Sequence, residues 1–264
     1  MFGMSRDVHM VPHFDSPDKW SKGVGLDPGM TNPTAWVHGA RFGNGKHQGI
    51  YLYAGHQQSG KLVVDHAARL LSEVTPMHQQ FWIDHDATKS SHLTGGSVLE
   101  TYRLHGLPFQ WAPRDWQARI NRVREYMRFN PELVHPVTGK KGCPGLLMSD
   151  RLMECFDALQ QYRKEEQKTN RGSSNVPERA RKYNDHYPDA VGYLVVGMMP
   201  PLTPGSEIAG QVFHEDMRIG SPVGFRAPAL SCVDESGNYS LAQQIEASHQ
   251  VSTEMYEPTS WLLA

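Results

Sequence analysis

Cysteine is scarce in this chain. Cys143, Cys155 and Cys232 are the only three in 264 residues, and no two of them stand in a C-x-x-C spacing. An odd, scattered set of this kind argues against both a disulfide framework and a structural zinc site. Long apolar runs are missing too: no stretch approaches the roughly 20 residues that a bilayer-crossing helix needs. The first 20 residues hold Asp, His and Pro where a secretory signal would have its apolar segment. The reading is a protein of a reducing cytoplasm with no membrane partner. Strong net charge is also lacking, at −2, and that value is uninformative until the charge is divided by segment.

Divided so, the charge is uneven. Arg103, Arg114, Arg119, Arg122, Arg124 and Arg128 share one stretch with only Asp115 and Glu125 among its acids. Arg163, Lys164, Lys168, Arg171, Arg179, Arg181 and Lys182 form a second. Basic stretches of this type suit a phosphate backbone. Arg119, Arg122, Arg171, Arg179, Arg181 and Lys182 are therefore the candidate contacts, and a nucleic acid the candidate partner.

The acids that draw attention lie at the ends of apolar elements. Lys182-Tyr-Asn-Asp-His-Tyr-Pro-Asp189 is a polar approach that runs straight into the apolar helix Ala190 to Met199. It delivers Asp185, His186 and Asp189 to the first turn of a helix that must be buried. A carboxylate is favoured there in any case by free backbone N–H groups and the helix dipole. Two distant acids give the position a second meaning. Asp27 ends the strand Gly23-Val-Gly-Leu-Asp27, where Val24 and Leu26 point one way and Gly25 and Asp27 the other. Asp84 closes Gln80-Phe-Trp-Ile-Asp84 and shares a face with Trp82. Carboxylates from separate segments, each terminating a core element, are a common way to build a divalent-cation site.

Elsewhere the pattern predicts two further strands, Thr34 to Phe42 and Gly49 to Gln57, joined by the turn signal Gly43-Asn-Gly45. Helices are predicted over Lys61 to Val74, over Val98 to His105, and along the stripe Trp116, Ile120, Val123, Met127. Phe109 to Ala112 and Gly145 to Met148 read as short strands, Asn130 to Gly145 as a loop or small hairpin, and Leu152 to Leu159 as another amphipathic helix. Gly55-His-Gln-Gln-Ser-Gly60-Lys61-Leu62 approaches a phosphate-binding loop. Leu62 stands where the magnesium-holding hydroxyl would be, so the segment reads as a plain strand-to-helix connection. The expected division is an entry segment over 1–21, one α/β domain over 22–199, and a C-terminal tail or docking arm over 200–264 with a short helix near Ser240 to Ala247.

The layout resembles the RNase H-like fold, which implies a central mixed sheet of five to six strands flanked by helices. Within it the chain resembles the nuclease domain of tailed-phage terminase large subunits. The resemblance rests on Trp20-x-x-Gly23-Val-Gly-Leu-Asp27-x-Gly29 with Asn32-Pro-Thr-Ala35, on Phe81-Trp-Ile-Asp84, and on Asp185-His186-x-x-Asp189-Ala190 with Tyr193. It implies an endodeoxyribonuclease in which Asp27, Asp84 and Asp189 hold two Mg2+ or Mn2+ ions, with Asp185 or His186 as a fourth contributor. Such ions activate water and stabilise the departing oxygen of a phosphodiester. The same resemblance implies concatemeric viral DNA as substrate, and a portal protein, a small terminase subunit and a separate ATPase domain as partners. Gly25-Leu-Asp27-Pro-Gly29 and His186-x-x-Asp189-Ala190 also resemble RuvC-type Holliday-junction resolvases, although Asp84 stands where that family carries Glu. A sugar-kinase-like phosphotransferase and a non-catalytic DNA- or capsid-binding module complete the alternatives.

Overall fold

In the computed structural model, which describes residues 2–29, 32–90, 96–162 and 184–202, the chain opens with a one-turn helix α1 (Arg6–His9) and a two-residue strand β1 (Met10–Val11). There follow β2 (Lys22–Asp27), β3 (Thr34–Asn44), β4 (His47–Gln58), α2 (Val63–Glu73) and β5 (His78–Ile83). A 3-10 turn over His85–Thr88 leads to α3 (Val98–Leu104), β6 (Gln110–Trp111) and α4 (Trp116–Met127). The hairpin β7 (Phe129–Val134) and β8 (Lys141–Pro144), then β9 (Leu146–Ser149), α5 (Met153–Gln161) and α6 (His186–Met198) complete it.

Seven strands form one mixed sheet in the order β1-β9-β4-β3-β2-β5-β6. β2, β3 and β4 are antiparallel neighbours, as the turn signal predicts, and β5 joins β2 in parallel. The sheet exceeds the expected five to six strands because β1 was hidden in the entry segment. Residues 2–21 are not a loose lead-in: β1 pairs in parallel with β9, and Phe2, Met4 and Val11 are buried. Two apolar side chains beside a backbone edge are enough to fix so short a strand, and their spacing is too brief to show a period. In α2 the buried residues are His66, Ala67 and Leu70, while Leu71 and the N-cap residue Leu62 are exposed. β4 enters α2 from an antiparallel hairpin, so the Gly55 to Leu62 connection lacks the βαβ setting of a phosphate-binding loop.

Strand parity divides the core. Val24, Leu26, Trp36, Phe81 and Ile83 face α2 and α3 with Ala67, Leu70, Leu99 and Tyr102. Ala35, Val37, Ile50 and Leu52 face the other way, toward α4, α5 and α6 with Val123, Phe156, Leu159, Val191 and Leu194. α6 is apolar all round, as befits a helix enclosed on every side; of its residues only His186 and Asp189 escape full burial. Its close seat on β2 depends on Gly25, where an added Cβ would lie 2.6 Å from Leu194 Cβ and against the Ala190 carbonyl. The tail beyond 202, including the helix expected near Ser240 to Ala247, lies outside the described residues.

Candidate active site

Three elements end at one pole of the sheet. The register sets Leu26 of β2 opposite Ile83 of β5, so the next residue of each chain, Asp27 and Asp84, emerges side by side at the carboxyl ends of two parallel neighbours. Gly25 is packed against α6 and Trp82 against Gly197 of the same helix, so the period of two sends Asp27 and Asp84 to the face that carries α6. Asp189 sits in the first turn of α6, its N–H bonded to the carbonyl of the N-cap residue Asp185. Asp27 and Asp84, 162 and 105 positions before Asp189 in sequence, are thus gathered with it by one strand pair and one helix start.

Asp27 and Asp189 are each engaged by neighbouring side chains. His186 Nδ1 donates to Asp27 Oδ2 at 2.8 Å, and Asp185 Oδ1 lies 3.9 Å from the other ring nitrogen. Asp189 Oδ1 accepts from Arg119 Nη2 and from the Tyr162 hydroxyl, both at 3.2 Å. Burial is the main force that raises the Asp27 carboxyl to about 7, and the charges of Asp189 and Asp84 push the same way against the His186 hydrogen bond. Burial also lifts Asp189 to about 6; Arg119 opposes it, while Asp185 and Asp84 add to it. His186 is raised chiefly by its bond to Asp27. The acids are therefore within electrostatic reach of one another.

Among the described residues no group of three or more His, Cys, Asp or Glu side chains is arranged to hold a metal ion. Asp27 is instead bonded to His186, and Asp189 to Arg119. The donor chemistry nevertheless suits a hard divalent cation, since Asp27, Asp84, Asp185 and Asp189 offer carboxylate oxygens and His186 an imidazole.

The basic candidates fare differently. Arg119 and Arg122 are buried, one on Asp189 and the other against Glu125 and the Met199 carbonyl, so neither is presented to a duplex. Both stand one residue before an apolar stripe position of α4, on the buried shoulder of that stripe. Arg171, Arg179, Arg181 and Lys182 lie outside the described residues. Tyr162 was missed altogether, because its link to Asp189 spans 27 residues and leaves no local pattern.

The sequence matches no family model and no curated protein. Its structure is similar to the P22 large terminase nuclease domain, with a TM-score of 0.55 and 17% identity over 74% of this chain and 90% of that one. It is similar also to the large terminase of a thermophilic bacteriophage, with a TM-score of 0.53 and 21% identity over 73% of this chain. That match spans 43% of the terminase, well under half of its length. The described chain has the RNase H-like fold of phage large-terminase nuclease domains.

Proposed function

We propose that this protein is a divalent-metal-dependent endodeoxyribonuclease that cuts concatemeric viral DNA during genome packaging. The observation that carries the reading is the convergence of Asp27, Asp84 and Asp189 at the ends of β2, β5 and the start of α6. Asp27, Asp84 and Asp189 would hold Mg2+ or Mn2+, with Asp185 or His186 adjoining. When bound, such ions supply the charge that activates water and stabilises the departing 3′ oxygen. The chain's own part is to hold the acids: His186 fixes Asp27, and Arg119 with Tyr162 fixes Asp189. On this reading double-stranded DNA is the substrate, and a portal protein, a small terminase subunit and an ATPase domain are the packaging partners.

The test is nicking of supercoiled plasmid with Mn2+, with and without EDTA. The parent protein is expected to nick only with the metal, and Asp27→Asn, Asp84→Asn and Asp189→Asn are each expected to lose about a hundredfold or more in rate. Metal-dependent cleavage that survives Asp27→Asn sinks the assignment. A marked preference for four-way junctions over linear duplex would move the protein to the resolvase reading.

A further inference from the structure

Arg119 does something that neither packing nor nucleic-acid contact accounts for. Its side chain is 9% exposed, its guanidinium carbon lies 4.3 Å from the centre of the Tyr193 ring, and its Nη2 is 3.2 Å from Asp189 Oδ1. Its Nε is buried with no hydrogen-bond partner. A buried donor left unmade is costly, and an apolar side chain would fill the same space without it. Room has been kept for it as well. At Gly192, one turn after Asp189, an added Cβ would stand 3.1 Å from Arg119 Cγ and Cδ and 3.3 Å from Nε. Such a guanidinium is retained for what it holds.

What it holds is one oxygen. The Arg119 and Tyr162 bonds both fall on Asp189 Oδ1, and Trp116 Nε1 donates to the Tyr162 hydroxyl at 3.1 Å, which orients that hydroxyl in turn. We propose that Arg119 is a positioning residue: with Tyr162 it clamps Asp189 by Oδ1 and so sets the carboxylate that would hold a divalent cation. This deepens the proposed function and rests on it. Partners one step behind a ligand commonly matter to metal affinity by about 10- to 100-fold.

The experiment is calorimetric titration of Mn2+ into the full chain and into Arg119→Gln, Arg119→Lys, Tyr162→Phe, Asp189→Asn and the Arg119→Gln/Asp189→Asn pair, with circular dichroism to verify the fold. Arg119→Gln is expected to weaken Mn2+ binding by about tenfold or more, Arg119→Lys to recover part of it, and Tyr162→Phe to weaken it by about threefold or more. In the Asp189→Asn background Arg119→Gln is expected to add nothing, which a purely structural arginine would not reproduce. Tyr162→Phe removes one oxygen and keeps the ring, so it answers even if the arginine variants unfold. Unchanged or tighter Mn2+ binding in folded Arg119→Gln, or in Tyr162→Phe when the arginine variants unfold, overturns the clamp and leaves the nuclease reading standing. Absence of Mn2+ binding by the parent overturns both.

Discussion

At the residue scale, another buried polar assembly sits on the sheet face opposite α6 and is built around His38 and His78. The Thr75 N–H donates to His78 Nδ1 at 2.9 Å, which leaves the hydrogen of His78 on Nε2. That nitrogen faces His38 Nδ1 at 3.1 Å and the Tyr53 hydroxyl at 2.7 Å. His38 Nε2 then donates to Glu73 Oε2 at 3.1 Å, where Trp36 Nε1 also donates at 2.8 Å. Burial, helped by His38, presses His78 down to about 4. Glu73 is lowered to about 2: burial works against that, and its bonds to His38 and Trp36 outweigh it. Both groups bind fewer protons folded than unfolded between their two values, so each contributes stability at neutral pH that is lost on acidification. His78 loses it first, from about pH 6.5 toward 4, and Glu73 below its ordinary value of 4.5. The raised carboxyls of Asp27 and Asp189 slope the other way, so the difference between parent and variant is the clean measurement. Thermal melts from pH 7 to pH 4 are expected to fall less steeply for His78→Gln than for the parent; parallel curves would show that His78 is not the titrating group.

At the scale of elements, the seat of α6 on β2 matters most, because it carries Asp189 toward Asp27. No side chain fits at Gly25, which meets the Ala190 carbonyl and Leu194 across that seat. Gly25→Ala forces helix and strand apart, and overpacking of this kind costs about 1 to 3 kcal/mol. Urea unfolding is expected to show a loss of about 2 kcal/mol. Nicking is expected to fall further than stability alone accounts for, since the same displacement draws Asp189 from its partners. If Gly25→Ala is as stable and as active as the parent, the helix is not seated as tightly as the contact implies.

At the scale of the whole molecule, the first dozen residues close one edge of the sheet. Phe2, Met4 and Val11 are buried and β1 pairs with β9. Deleting residues 1–12 empties those positions, and losses of about 2 to 5 kcal/mol for each large core side chain are a large part of an ordinary domain's stability. The truncated chain is expected to lose its cooperative melt at 37 °C by circular dichroism; a melt like the parent's would show β1 to be dispensable. The amino-acid sequence by itself determined the strands that end in Asp27 and Asp84, the face each acid takes, the three-strand antiparallel start and the buried helix after Asp189. Those features follow from periods of two and 3.6, from turn residues and from helix starts, which are local. Only the tertiary structure decided that Arg119 and Arg122 turn inward, that Tyr162 meets Asp189, that β1 is a strand, and that His186 meets Asp27. Each depends on a partner far away along the chain, and a contact of that kind leaves no repeating signal among neighbouring residues.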